Sequence, residues 1–213
     1  GLKHGAVGYL ITDWGDNGHW QPLPVSYLGF LAGAAYSWCL ESNQGVDMAS
    51  VLSWHAFGDA TGAAGKVVFD LGELYKSMGL EVINNTPLFL MLLWDQAELL
   101  KHPRLHNVPF WELLDKIDEA SAPLALAKIQ APDSDIIRRE IELVVRLLKH
   151  ACWRGILALE GDRLERRRIQ QHLCEDLDSI LVEYKEVWLA RNRPGGLEDS
   201  ITRLEKPLAV ALQ

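Results

Sequence analysis

A tryptophan lies between two aspartates near the start of the chain, in the stretch GYLITDWGDNGHW at residues 8–20. The carboxylate oxygens of Asp13 and Asp16 could accept hydrogen bonds from hydroxyl groups. The indole of Trp14 offers a flat apolar face to a pyranose ring or an acetamido methyl group. These residue types at this spacing therefore suit the binding of a sugar. The alternative is that Trp14 belongs to the core and the aspartates only shape a turn.

The same stretch offers Asp13, Asp16 and His19 as ligands for a metal ion, but their spacing matches no common metal-binding loop. A calcium loop of the EF-hand type needs oxygen ligands at alternate positions and a glutamate at its twelfth position. Gly15 and Pro24 stand at two of those positions. We therefore expect no metal at this turn, and we find no pattern in the sequence that would hold a cofactor.

Two arginines stand near the other end of the chain, in the stretch RNRPGGL at residues 191–197. A long helix is expected to end there, with Asn192 in the left-handed conformation and a turn formed by the proline and glycines that follow. Arg191 and Arg193 on such a tight turn could hydrogen-bond a ligand or a neighbouring domain. A purely structural docking contact is the alternative.

Composition excludes several classes of protein. The chain has 213 residues, 48% of them hydrophobic, which is enough for a real core, and its net charge is −8. An acidic chain is unsuited to non-specific binding of nucleic acid or of an anionic membrane. The longest apolar run, at residues 28–40, is too short and too interrupted to span a bilayer. Three widely separated cysteines predict no disulfide framework and favour a cytoplasmic location.

The first 44 residues have the pattern of one β/α unit. Residues 6–12 are short, apolar and partly β-branched, which predicts a strand buried on both faces. Residues 13–18 predict a turn, and residues 25–40 predict a nearly all-apolar helix that follows Pro22 and Pro24. Functional residues of barrels built from such units lie in the turn after the strand, where Trp14 and its two aspartates stand.

Residues 45–213 have the pattern of an α-helical domain. Asp47 is expected to cap a helix that reaches about Phe57, and Thr86 begins another that continues to Lys101. Two long amphipathic segments, at about 134–159 and 163–190, predict an antiparallel helical hairpin. We therefore predict a mainly α fold, in which one terminal β/α unit of a (β/α)8 barrel, at residues 1–44, precedes this helical domain.

The predicted strand has no partner within the sequence. Each unpaired backbone group of a buried strand costs roughly 1–3 kcal/mol, and the helical segments supply no ladder. We therefore expect its partners in barrel chain upstream of residue 1.

Three ordered stretches resemble bacterial family 20 glycoside hydrolases, the β-N-acetylhexosaminidases. GYLITDWGDNGH followed by LGFLAGAAYSW is similar to the last strand and helix of the barrel in that family. FGDATGAAGKVVFDLGELY and the closing WLARNRPGGLEDSITRLE are similar to the helical C-terminal domain of a bacterial branch of it. The resemblance covers essentially the whole chain. It implies that the chain is the C-terminal segment of such an enzyme.

The resemblance implies roles for two residues. Trp14 would line the pocket for the terminal N-acetyl sugar, and Asp16, where the family usually has glutamate, would bind ring hydroxyls. The implied mechanism is substrate-assisted: a glutamate protonates the leaving oxygen while a neighbouring aspartate orients the acetamido group that attacks the anomeric carbon. In the family that pair precedes the tryptophan. The one adjacent pair in this order here, Asp118 and Glu119, follows it, so we expect no catalytic residue in this chain.

A competing hypothesis is a free-standing α-helical interaction or regulatory module without catalytic activity, in which Trp14 only packs. Under the hydrolase hypothesis the partners are an N-acetylhexosamine-containing saccharide and the upstream barrel segment. A homodimer is compatible with either hypothesis.

Overall fold

The protein is mainly α-helical. A computed structural model describes residues 1–80, 82–83 and 85–211, and no β-strand occurs in those ranges. The α-helices are α1 Leu23–Trp38, α2 Leu40–Asn43, α3 Met48–His55, α4 Ala63–Glu73, α5 Pro87–Leu93, α6 Gln96–Leu100, α7 Phe110–Ser121, α8 Ser134–Leu159, α9 Arg163–Arg191 and α10 Leu197–Ala211. Short 3-10 helices lie at Leu2–His4, Leu74–Ser77, Leu105–Asn107 and Ala122–Leu126. None of the helices in these ranges is both long and apolar enough to cross a membrane.

The segment at residues 6–15 belongs to neither a helix nor a strand. Its apolar side chains point largely into solvent: Val7 is 106% exposed and Leu10 is 84% exposed. In the described ranges the one isolated β-bridge joins Asp16 and Gly18. The segment therefore forms no ladder with the described chain, and its membership of a barrel sheet stays a prediction.

Helix α1 packs closely against this segment at one glycine. A Cβ atom on Gly33 would stand 2.2 Å from Cδ1 of Ile11, well inside van der Waals contact. On the other side of α1, Tyr27, Leu28 and Leu31 pack against the buried core. Helix α1 is therefore joined to the rest of the fold, although the boundary near residue 44 between two domains is a prediction that these contacts do not test.

The core lies between α3, α4, α5, α7, α8 and α9. Its largest fully buried side chains are apolar and include Phe57, just after α3, and these residues of the helices: Leu52, Met91, Leu113, Ile137, Ile141 and Leu173. Helices α8 and α9 pack along each other and their side chains pair in reverse order, Arg139 with Glu183 and His150 with Asp176. The two longest helices therefore run antiparallel, with α5 and α7 packed on α8.

One predicted helix is divided in two. The expected helix from Thr86 to Lys101 ends at Leu93, and α6 begins at Gln96. The reason is a capping box. The Asp95 carboxylate accepts a hydrogen bond from the Glu98 backbone N–H, and the Glu98 carboxylate accepts one from the Asp95 backbone N–H. The predicted caps Asp47 and Thr86 both accept hydrogen bonds from the first turns of their helices.

A buried carboxylate, Asp59, connects α4 to the loop before α8. Its Oδ1 accepts from the backbone N–H and hydroxyl of Thr61 and from the N–H of Lys128, and its Oδ2 accepts from the N–H of Ala64 at 2.9 Å. Burial alone would raise the pKa of Asp59, but these hydrogen bonds together outweigh it and hold the pKa below its usual value. The ionised form is therefore the one that stabilises the fold.

Replacing Asp59 by asparagine is expected to lower the free energy of unfolding by about 1.5–3 kcal/mol at pH 7, because bonds to a charged acceptor are lost. A lowered pKa makes the stability of the wild type fall as the pH drops below about 4 and through the folded-state value. The Asp59→Asn variant should lack that part of the pH dependence of stability. Urea titrations between pH 2 and 7, at about one-unit steps, measure both effects. Asp47→Asn is the control, since asparagine caps a helix as well as aspartate does; an equal loss in both variants would contradict the prediction.

Candidate functional site

The residues expected to bind a sugar line one cavity. This cavity, called here the turn cavity, measures about 590 Å³ and lies between residues 11–21 and helices α1, α4, α5 and α8. Asp13, Trp14 and Asp16 all line it. Its volume is within the range of small-molecule sites. The structure therefore brings these three side chains to one concave surface.

The rim of the turn cavity is polar and open. Trp14 is 70% exposed, so its indole is not part of the core that the described residues form. Gln21 fixes the turn beneath it, since its side-chain amide donates to the Trp14 carbonyl at 2.9 Å. Ser26 on α1 donates to Oδ2 of Asp13 at 2.6 Å. Within the described residues the Asp16 carboxylate makes no hydrogen bond or ion pair, so both of its oxygens are free to accept from a ligand.

The floor of the turn cavity is apolar. Most of its lining from the helices is aliphatic or aromatic: Leu28, Leu71, Leu88, Phe89, Ile141 and Leu148. The Phe89 ring packs against Trp20 at a tilt of 39°, with ring centroids 4.9 Å apart. An apolar floor beneath a rim of two carboxylates and an indole is the combination that suits a ring with one apolar face and several hydroxyls.

The end of the turn is attached to the last two helices of the chain. Tyr184 on α9 donates its hydroxyl hydrogen to the His19 carbonyl at 2.9 Å. The indole N–H of Trp20 donates to the Ser200 carbonyl at 2.9 Å, and the His19 N–H donates to the Ser200 hydroxyl at 3.4 Å. Burial raises the pKa of Tyr184 to about 12, so its hydroxyl remains a donor throughout the neutral range.

These attachments could not be read from the sequence. The residues they join are 165 to 181 positions apart, and no local pattern indicates that a tyrosine in a long amphipathic helix donates to a carbonyl near the N-terminus. Trp20 is 2% exposed and has the ordinary character of a core residue. The helical part of the chain therefore contributes to the shape of the turn through residues that sequence patterns do not single out.

Arg191 is bound in a buried ion cluster. Its Nε and Nη2 donate to the two carboxylate oxygens of Glu140 at 2.6 and 2.7 Å, and its Nη1 lies 2.6 Å from Oδ2 of Asp133. The Glu140 side chain is 2% exposed. The two carboxylates raise the pKa of Arg191, while burial raises the pKa of Glu140 against the opposing effect of Arg191. Arg191 therefore makes a structural contact between α8 and α9, and it does not line the turn cavity.

The turn after α9 differs from its predicted form. Asn192 is extended, with φ −118° and ψ 160°, and the left-handed residue is Gly196, with φ 84°. The indole N–H of Trp188 donates to the Arg193 carbonyl at 2.8 Å and thereby closes the turn. The Arg193 side chain is exposed and does not line the turn cavity. Its role as a ligand or domain contact stays a prediction.

Other titratable groups do not gather at the turn cavity. Asp118 and Glu119 lie on the exposed side of α7, and Asp118 pairs with Lys149 of α8. Across the described ranges, no three or more histidine, cysteine, aspartate or glutamate side chains are arranged to hold a metal ion. The turn cavity therefore offers a ligand an indole and carboxylate acceptors.

Comparisons with protein-family models, with curated proteins and with solved structures found no match to this chain. The family resemblance of the three sequence stretches therefore stays a prediction. What the structure adds is the common position of Asp13, Trp14 and Asp16 on one cavity.

Proposed function

We propose that this chain is the C-terminal part of a family 20 glycoside hydrolase that removes terminal β-linked N-acetylhexosamine by substrate-assisted, retaining hydrolysis. The observation that carries the proposal is the joint position of Trp14, Asp13 and Asp16 on the rim of the turn cavity. The resemblance of three ordered stretches to that family supplies the choice of sugar. The turn cavity then provides part of the pocket for the terminal sugar.

The exposure of Trp14 supports this role. Large aromatic side chains are usually well buried, and an exposed indole beside the free Asp16 carboxylate leaves water on an apolar face that a ligand would displace. In the proposed complex the acetamido methyl group lies against Trp14, while Asp16 accepts a hydrogen bond from a ring hydroxyl. Both contacts orient the acetamido group, which is the internal nucleophile.

The exposed apolar surface near the N-terminus supports the proposal of an upstream partner. Val7, Leu10 and Trp38 are each more than four-fifths exposed, at 106%, 84% and 91%. Large apolar side chains exposed to this degree are available to be covered by a partner. In the proposed enzyme the barrel covers this surface, pairs with residues 6–12 and supplies the catalytic glutamate and aspartate.

A free-standing helical interaction module is the second candidate, and the same exposed apolar surface favours it. Such a module would use residues 6–12 and the outer side of α1 to bind another protein. It would need neither the free Asp16 carboxylate nor an indole facing solvent at the turn cavity. Sugar hydrolysis therefore separates the two candidates.

The 213-residue chain alone is expected not to hydrolyse a chromogenic N-acetylglucosaminide, whereas a protein that includes the upstream coding sequence should do so. That upstream sequence is expected to encode roughly 300 residues of alternating strands and helices with an adjacent Asp-Glu pair. The matching glucoside, which lacks the acetamido nucleophile, should not be cleaved by either protein.

Two results would overturn the proposal. One is steady turnover by the 213-residue chain that is abolished by Asp118→Asn or Glu119→Gln, because the catalytic pair would then lie on α7. The other is an upstream sequence without the alternating pattern, or a longer protein that cleaves neither glycoside, in which case the helical module is the better description.

A further inference from the structure

A second cavity lies on the other side of the turn. It measures about 400 Å³ and is formed by residues 19–23, by α8 and by the C-terminal part of α9. We call it the α9 pocket. Trp20 and Gln21 line both this pocket and the turn cavity, so the two cavities are neighbours separated by one short stretch of backbone.

The charges on the lining exclude two kinds of ligand. Arg191 and Glu140 both face the pocket, but each is already paired with the other, and Asp133 gives Arg191 a second carboxylate. An inorganic anion would therefore meet an arginine whose charge is already balanced. A hydrocarbon chain would displace water from the Gln21 and Asn192 amides, which line the same pocket, and could not replace the hydrogen bonds of that water.

The remaining lining offers an aromatic wall and polar groups of both kinds. The Trp188 ring lines the pocket beside Tyr184, with centroids 5.9 Å apart. Within the described chain, the Asn192 amide makes no hydrogen bond, and Gln21 uses its amide N–H group but not its carbonyl. The pocket thus combines donors, acceptors and an indole with no net excess of cationic groups, which matches a neutral ring that carries hydroxyls.

We infer that the α9 pocket binds one neutral sugar ring, as a second saccharide position beside the turn cavity. In this position the ring packs on Trp188, and its hydroxyls exchange hydrogen bonds with Asn192, with the Gln21 carbonyl and with the fixed Glu140 carboxylate. The inference rests on the proposed function only for the choice of an N-acetylhexosamine saccharide. It gives the chain contacts to two sugar units rather than one.

The test is a titration of the 213-residue chain, labelled with 5-fluorotryptophan, with di-N-acetylchitobiose while fluorine NMR follows each of its eight tryptophans. Trp14→Phe and Trp188→Phe identify the two resonances that matter. We expect both resonances to shift with a Kd on the order of 1–10 mM, because each ring makes only a few contacts. Trp111, which is exposed on α7, is the internal control and should not move.

A variant sharpens the test without disturbing the core. Asn192 is exposed, so Asn192→Ala should fold normally, weaken the response of Trp188 by about two- to tenfold in Kd and leave that of Trp14 unchanged; this range corresponds to the loss of one neutral hydrogen bond. Inorganic phosphate at the same concentration should move neither resonance.

The outcomes separate this inference from the proposed function. If the Trp14 resonance shifts and the Trp188 resonance does not, the α9 pocket is not a sugar site and the proposed function stands. If only the Trp188 resonance shifts, the α9 pocket is a sugar site and the role given to Trp14 is wrong. If phosphate moves Trp188 as strongly as the saccharide does, or if Asn192→Ala leaves its Kd unchanged, the inference is wrong. If neither tryptophan responds, both assignments fail.

Discussion

Replacing Trp14 by alanine in the longer enzyme is expected to lower kcat/KM for an N-acetylglucosaminide about a hundredfold. The physical reason is positioning: without the indole wall the acetamido group is held less tightly, and a misplacement on the order of 1 Å can cost that factor. The melting temperature should change little, because Trp14 is 70% exposed and the removed side chain leaves no buried cavity.

Two variants test whether the loss belongs to the turn cavity. Trp111→Ala removes another exposed tryptophan, 61% exposed on α7, and should leave kcat/KM unchanged. Asp16→Asn keeps the shape of the turn but removes a charged acceptor, which should cost about ten- to a hundredfold in kcat/KM. Suppose instead that Trp14→Ala mainly lowers the melting temperature and that Asp16→Asn leaves kcat/KM within twofold of the parent. That result would show that neither residue binds the sugar.

Replacing Arg191 by methionine is expected to lower the free energy of unfolding by about 3–5 kcal/mol. Methionine fills most of the volume but leaves the Glu140 carboxylate buried without its bidentate partner, and an unpaired buried charge carries a penalty of this size. Urea unfolding at neutral pH measures the loss. The deficit should shrink at acidic pH, because burial raises the pKa of Glu140 and protonation removes the charge that lacks a partner.

A matched arginine on the same pair of helices gives the control. Arg139 on α8 also bonds two carboxylates of α9, those of Glu183 and Glu186, but it is 38% exposed. Surface ion pairs contribute little, so Arg139→Met should cost less than about 1 kcal/mol. The double variant Arg191→Met with Glu140→Leu should recover most of the lost stability. Equal losses in the two single variants would show that burial of the pair is not the cause.

The helices that could be predicted are those with strong local signals. Asp47 and Thr86 carry cap side chains immediately before apolar segments. Helices α8 and α9 repeat apolar residues at helical spacing over about seven and about eight turns. The division between α5 and α6 was missed although Asp95 and Glu98 have capping-box spacing, because the apolar pattern continues across it.

The part of the candidate site that could be predicted is likewise local. Trp14 and its neighbouring aspartates are close in sequence, so their shared cavity follows from one turn. The ion pair of Arg191 with Glu140 joins residues 51 positions apart, and its existence depends on the register between α8 and α9. Side-chain pairing across such distances is fixed by tertiary packing, which residue type and spacing do not determine.

The attachment of the turn to α9 and α10 has a consequence for the order of events during synthesis. Tyr184 follows His19 by 165 positions, and Ser200 follows Trp20 by 180. At roughly 5–20 residues per second, the ribosome makes Trp14 roughly 10–30 s before these partners emerge. In that interval the turn has been synthesised but lacks its hydrogen bonds to Tyr184 and Ser200. The turn is thus translated before α9 and α10 but acquires its final geometry only after them, and a nascent chain that stops before α9 carries the indole and carboxylates without the contacts that hold them in place.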